Sequence, residues 1–437
     1  MKLIIVLLDG LGDRSYPELD YQTPLQAAPT PNLDGLARMG GNGLFHALRP
    51  GRCLPSETAH FLLLGYPLRR FPGRGLLEAV GAGIPFEAED VLCMAHLSGV
   101  TWQGNVALLT QGRRDIEGSA RDLAPLYEAV SAYETSGIRF SLHQTGQNDA
   151  VLVLKGGVSP YISDSDPMRV GMPVALVQPL SGNPEPEQSL RTARALNQYL
   201  SFCHHRLSDH EINRHRQDMA GAPANFLTTL RCGRRILQEP FDERWGLRGM
   251  LIASGGMYKG LAHELRLTFR QVRDGPDAGR DLRERITLAL DDPDHDFIHV
   301  HTKAPDEAGH TKDPEHKARV IAALDQGLDE LVAAVETGED LLVAVTADHS
   351  TPGRSALIHS GEPVPIALVG PFVRRDQVSA FDEVSAAAGS LGLLRGEELM
   401  DMMLNYADRS VLMGQRLGEK ERVYVPENYP PFAMTDP

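Results

Sequence analysis

Apolar residues along this chain gather in short unbroken runs, separated by stretches with helical spacing. KLIIVLLD at 2–9, DFIHVHTK at 296–303 and DLLVAVTAD at 340–348 are continuous rather than alternating, and VPIALVG at 364–370 follows the last of them. Continuous runs of this length predict strands buried on both faces. Between them TPNLDGLARMG places Thr30 as N-cap, Pro31 in the first turn and Gly40 at the end of a helix. A longer helix is predicted from about Pro314 through KARVIAALDQGLDELVAAVETG, where Leu and Ala recur at three- and four-residue spacing. Strands alternating with helices predict an α/β fold with a doubly wound, mainly parallel sheet.

The middle of the chain has a different texture. A strand-like DAVLVLKG, a Pro- and Gly-rich GGVSPYISDSDPMRVGMP, a polar LSGNPEPEQS and an Ala- and Leu-rich helix at LRTARALNQYLSFCHHRL follow one another. Residues 69–244 are therefore expected to form an inserted, smaller α/β domain, with 1–68 and 245–437 making one discontinuous core.

Composition narrows the function classes. The 437 residues, 42% hydrophobic and 23% charged, suffice for a large core, and the net charge of -15 disfavours a nucleic-acid partner or an anionic membrane surface. The apolar run of MKLIIVLLDGLGD is too short for a signal peptide, lacks a small-residue cleavage site and ends at Asp9. No segment has the roughly 18 apolar residues of a membrane span. A soluble cytoplasmic protein is expected, its oligomeric state open. Cys53, Cys93, Cys203 and Cys232 form no C-x-x-C pair and are expected to be reduced thiols; Cys53 has no local histidine to make it a nucleophile.

Candidate chemistry lies just after the strands. Asp9 ends the first; Asp306 and His310 follow the second in APDEAGHTKD; Asp348 and His349 follow the third in TADHSTPG; and His359 comes next in LIHSGEPVP. One acid after a strand is ordinarily a turn residue or a helix cap. Repetition after successive strands carries the argument, because the carboxyl ends of parallel strands share one edge. Three carboxylates and three imidazoles without thiolates suit two divalent ions such as Mn²⁺, Zn²⁺ or Mg²⁺, which can clamp a displacement at phosphorus. In LPSETAHFLLLGYP, Ser56 is the candidate nucleophile and Thr58 a weaker one, while Glu57 and His60 are expected to orient the turn. A helix starting there would offer its N-terminus to a phosphate. His299 and His301 read as hydrogen-bonded core residues, and His204, His205, His210 and His215 as a solvated helix surface.

Taken in order, LLDGLGD, TPLQAAPTPNLDGLA, PSETAHFLLLGYP, PGRGLLEAVGAGI, DEAGH, TADHSTPG, HSGEPVPI and GSLGLLRGEELMDMML resemble the cofactor-independent phosphoglycerate mutases of archaeal type, in the alkaline phosphatase superfamily. The resemblance runs essentially end to end. It implies an alkaline-phosphatase-like core and exchange of a phosphoryl group between the 3- and 2-positions of glycerate, a glycolytic step, through a phosphoserine. By position it implies that Ser56 is the nucleophile. Asp306, His310 and His359 would hold one ion, and Asp9, Ser56, Asp348 and His349 the other, with Mn²⁺ or Zn²⁺ ahead of Mg²⁺ or Co²⁺. Lys259 of MYKGLA would face the phosphoryl group, and Lys303 and Arg74 match further family positions.

The inserted domain would grip the glycerate of this small phosphorylated substrate. There the pattern departs: GRRDIEG keeps Arg113 and Arg114 but no third arginine, and GQNDAVLVL carries Asn148 and Asp149 where a His-Arg pair is expected. Arg114 and Asp115 resemble the Arg-Asp pair of bacterial-type relatives. The altered arginines leave open an alternative, a phosphohydrolase or phosphotransferase acting on another small phosphomonoester.

Overall fold

The computed structural model describes residues 1–219, 221–338 and 340–434. Two compact units emerge, Met1–Phe71 with Gln238–Pro437, and Pro72–Leu237. The first is built on an eight-stranded sheet. Across that sheet lie Thr268–Gln271, Gly249–Ala253, Phe297–Thr302, Lys2–Leu8, Leu341–Thr346, Val364–Val369, Gly41–His46 and Gly392–Arg395. Only Val364–Val369 runs against its neighbours; all other pairings are parallel.

The unbroken apolar runs follow from this placement. Every residue of Phe297–Thr302 and of Leu341–Thr346 is buried, and so is Leu3–Leu8, since helices cover both faces and no position faces water. Lys2–Leu8 sits centrally, in register with Phe297–Thr302 on one side and Leu341–Thr346 on the other. The segments leaving these strands therefore depart from one edge of the sheet.

Two helical details differ from the sequence expectation. Thr30 precedes the helix Pro31–Met39, but its side chain makes no capping hydrogen bond. The long helix is two, Pro314–Gln326 and Asp329–Thr337, interrupted at Gly327. Gly327 packs directly on the Gly279 backbone, where a side chain would collide with the carbonyl, so close approach of the neighbouring helix Ala278–Asp291 breaks a pattern that periodicity alone continues.

The second unit carries a six-stranded sheet in which Val91–Gln103 pairs antiparallel with Val106–Gln111, Ala150–Lys155 and Phe226–Gly233. The helices Ala120–Ala129 and Pro186–Ser208 bury Leu123, Leu126, Leu196 and Tyr199 in its core. The expectation of four reduced thiols is corrected here: Cys93 and Cys232 are joined in a disulfide 139 residues apart in sequence, while Cys53 and Cys203 are free. Antiparallel pairing of their two strands brings the cysteines together, which local spacing cannot reveal. Denatured, unreduced protein is expected to titrate two thiols, rising to four after reduction; four before reduction would contradict the bridge. Among the described residues no helix is long and apolar enough to cross a membrane.

Candidate active site

The helix Ser56–Leu63 begins at Ser56, after Pro55 in extended conformation, and all eight of its residues are buried. Its first turn thus holds the hydroxyl rigidly at a helix N-terminus. Ser56 Oγ lies 3.1 Å from His349 Nε2. The same nitrogen is 3.1 Å from Asp348 Oδ2 and 3.5 Å from Asp9 Oδ1. Four side chains from three remote segments therefore converge on one point.

A second group lies beside it. Asp306 Oδ1 is 3.2 Å from His310 Nε2 and 3.4 Å from His359 Nε2. Asp306 and His310, four residues apart, share a face of the short helix Ala304–His310. The His349 and His359 rings stack at 3.7 Å, which joins the two groups. By mutual distance of ligand atoms, Asp306, His310 and His359 form one set able to hold an ion, and Asp9, Asp306 and His349 another. Asp306 thus belongs to both candidate sets, whereas the family resemblance implies a place in only one.

The loops make this convergence possible. Gly10, at φ +68°, turns the chain after Asp9, and a side chain there would run into Thr351 Oγ1 and the Asp306 backbone. Thr351 Oγ1 donates to Asp306 Oδ1 at 2.7 Å and lies 3.2 Å from His349 Nδ1. The buried Lys317 ammonium donates to Gly12 O at 2.9 Å, Asp13 Oδ2 at 3.0 Å and Thr351 O at 2.7 Å, tying together the loops that follow Asp9 and His349. Lys317→Met keeps the stem but leaves these buried acceptors without their cation. It is expected to cost about 3 to 5 kcal/mol in a urea titration; a midpoint equal to wild type would refute the tie.

Electrostatics among these buried acids favour a cation. Burial, reinforced by the Asp348 and Asp306 carboxylates, pushes the Asp9 carboxyl up to about 7, and burial likewise raises Asp348. Burial alone would raise Asp306, but hydrogen bonds from His310 and His359 outweigh it and hold its carboxyl low. Burial lowers His349 and takes His60 down to about 4, leaving neutral imidazoles. Asp9 Oδ1 and Asp348 Oδ2 are buried with no hydrogen-bond partner. Oxygens so placed beside neutral imidazoles and a hydroxyl, without thiolates, match the donor set of hard to borderline divalent cations.

Other expected residues lie as follows. Lys303 caps the helix Ala304–His310, and its charge acts on Asp9 and His349. Lys259 lies on the helix Gly256–Leu265 and is exposed. In the second unit Arg74 pairs with Glu78 at 3.0 Å, and Arg113 donates to Asp149 Oδ2 at 2.6 Å. Asp115 accepts from the Gly112 amide at 2.9 Å and closes its own turn; Arg114 beside it is exposed. His205 and His215 are exposed, but His204 accepts from the Trp102 indole at 2.9 Å and is half-buried.

The chain resembles known proteins over nearly its whole length. A model of the metalloenzyme superfamily matches residues 1–406. The 2,3-bisphosphoglycerate-independent phosphoglycerate mutase 2 of Methanocaldococcus jannaschii is 40% identical over 435 residues, covering 98% of each chain. The chain belongs to the 2,3-bisphosphoglycerate-independent phosphoglycerate mutase family. The Methanopyrus kandleri member of this mutase family is 37% identical, with 93% of this chain and 97% of that one covered. The solved cofactor-independent phosphoglycerate mutase of Thermoplasma acidophilum is 30% identical with a TM-score of 0.60, covering 93% of this chain and all of its own.

In this member of the mutase family, sequence reasoning missed several residues around the acids. His301, expected as a hydrogen-bonded core residue, is buried and hydrogen-bonded, but the partner that was not foreseen is Asp9, whose Oδ2 lies 3.0 Å from its Nε2. Tyr258, beside the noticed Lys259, donates to the same oxygen at 2.9 Å. The signal available was weak: His301 is the next-to-last residue of a strand whose exit carries Asp306. His60 Nδ1 bonds Ser56 O at 2.8 Å, in keeping with the supporting role expected of it.

Proposed function

We propose that this chain interconverts 3- and 2-phosphoglycerate through a phosphoserine at Ser56. Two divalent ions are its proposed cofactors, Mn²⁺ or Zn²⁺ ahead of Mg²⁺ or Co²⁺, and its proposed setting is cytoplasmic. The observation that carries the reading is the convergence of Ser56 Oγ, Asp9 Oδ1, Asp348 Oδ2 and His349 Nε2, beside Asp306, His310 and His359, in a chain of this family. Ions held by these residues would lower the pKa of the Ser56 hydroxyl and offset charge on the phosphoryl oxygens. Ser56 Oγ gives up its proton and attacks phosphorus; the Oγ–P bond forms as the bond from phosphorus to the C3 oxygen breaks, and that oxygen takes up one proton in exchange. After the glycerate turns, its 2-hydroxyl gives up its proton and attacks the same phosphorus, the Oγ–P bond breaks, and the released Ser56 oxygen takes up one proton to regenerate the hydroxyl. The helix N-terminus at Ser56 favours the anionic group throughout.

Lys259 and Lys303 are proposed to offset charge on the phosphoryl group. Arg74, Arg113, Arg114 and Asp115 of the Pro72–Leu237 unit are proposed to hold the glycerate. A second reading, phosphate release or transfer from another phosphomonoester, draws support from the intramolecular pairs Arg74–Glu78 and Arg113–Asp149, which already occupy two candidate anion contacts. One experiment separates the readings. Metal-loaded protein is supplied with 3-phosphoglycerate and, in separate reactions, with other small phosphomonoesters, and 2-phosphoglycerate and free phosphate are measured separately. Formation of 2-phosphoglycerate without phosphate supports the mutase; phosphate release from other esters without isomerisation would replace it by the second reading.

A further inference from the structure

The two buried acids at the strand ends are each held by one oxygen only. Asp348 Oδ1 accepts from the backbone amides of Gly10 and His349, both at 3.0 Å, and its Oδ2 has no hydrogen-bond partner. Asp9 repeats the arrangement with side chains: Oδ2 accepts from the Tyr258 hydroxyl at 2.9 Å and is 3.0 Å from His301 Nε2, while Oδ1 has no hydrogen-bond partner. A carboxylate free on both oxygens can rotate between one-oxygen and two-oxygen ligation. One pinned on a single oxygen cannot rotate without breaking both bonds.

The pinning groups are themselves fixed. Tyr258 and His301 are buried, and their rings lie 4.1 Å apart. The His60 ring packs 5.0 Å from Tyr258 and 5.1 Å from His301, while its Nδ1 bonds the Ser56 carbonyl. His301 Nδ1 has no hydrogen-bond partner, so the proton of the neutral ring sits on Nε2, where it reaches Asp9. Tyr258 rides on the helix Gly256–Leu265 and His301 on the strand Phe297–Thr302, so the grip comes from elements other than the one bearing Asp9.

We infer that Tyr258 and His301 are positioning residues that lock Asp9 as a one-oxygen metal ligand, presenting Oδ1 toward His349 and Ser56. The inference rests on the two-ion reading proposed above. Outer partners of this kind orient a ligand and commonly change metal affinity about 10- to 100-fold when removed. The effect should be confined to the ion shared with Ser56, since His310 and His359 receive nothing from this pair.

The test uses metal-stripped full-length protein titrated with Mn²⁺, with unbound Mn²⁺ counted by electron paramagnetic resonance. Wild type is expected to take up two ions. Tyr258→Phe, which removes one hydroxyl and little volume, should weaken one of them about 10- to 100-fold and leave the other unchanged. His301→Leu should act in the same direction, and His301→Gln, which restores an N–H near Nε2, should recover much of the loss. At saturating Mn²⁺, kcat should fall in Tyr258→Phe with KM nearly constant. Wild-type affinity for both ions in Tyr258→Phe and His301→Leu would overturn the inference alone. Wild type that takes up no Mn²⁺ would overturn the two-ion reading and this inference with it.

Discussion

Ser56→Ala is expected to lower phosphoryl transfer by a factor on the order of 10⁴ to 10⁶ while leaving the fold in place. The fold survives because the lost hydroxyl is one small group at the first position of its helix, and His349 keeps its neighbours Asp9 and Asp348. The activity does not, because Ser56 Oγ stands among the candidate ligand atoms, whereas the nearby hydroxyls of Thr351 and Tyr258 are committed to Asp306 and Asp9. Thr58 lies two residues further along the helix, so its side chain projects in a different direction. Two measurements check this: the isomerisation rate, and mass spectrometry for a phosphate adduct on the peptide bearing residue 56 after incubation with 3-phosphoglycerate. Wild type should show the adduct and the variant should not. An active variant, or one phosphorylated elsewhere, would place the nucleophile at another residue.

What could be read from sequence follows from the kind of interaction involved. The buried strands were legible because covering both faces of a parallel sheet leaves no polar alternation, and Lys2–Leu8, Phe297–Thr302 and Leu341–Thr346 are buried almost throughout. The acids and histidines after them were legible because strand ends in such a sheet share an edge. By contrast, the Cys93–Cys232 bridge and the long strand Val91–Gln103 depend on antiparallel partners distant in sequence. The break at Gly327 depends on a neighbouring backbone, which periodicity does not register. His301 and Tyr258 were invisible for a related reason: an aromatic or a histidine on a buried face has the same pattern whether it fills a core or holds a carboxylate. Only the oxygen it meets distinguishes the two.

Chelation is expected to abolish activity and to loosen the protein at once, for a single electrostatic reason. Asp9, Asp306 and Asp348 are each almost completely buried, and Asp9 already feels both of the others as like charges. Burial lowers the His349 and His60 imidazoles, so neither supplies that charge, and bound cations are the expected compensation. An ion present at a thousandfold excess over its dissociation constant stabilises the folded state by about 4 kcal/mol. Stripping with EDTA should therefore lower the melting temperature by several degrees. Adding back Mn²⁺ or Zn²⁺ should restore both stability and turnover. His310→Ala removes a candidate ligand from the set containing Asp306 and His359 but touches no contact of Asp9, so it should lose one equivalent of metal and about half of the metal-dependent stabilisation. Asp348→Asn should weaken the other ion while relieving repulsion in the stripped protein, so that its EDTA-treated form melts above stripped wild type. If stripped and loaded wild type melt together, the buried carboxylates are neutralised by protons, and the cluster is a polar core rather than a metal centre.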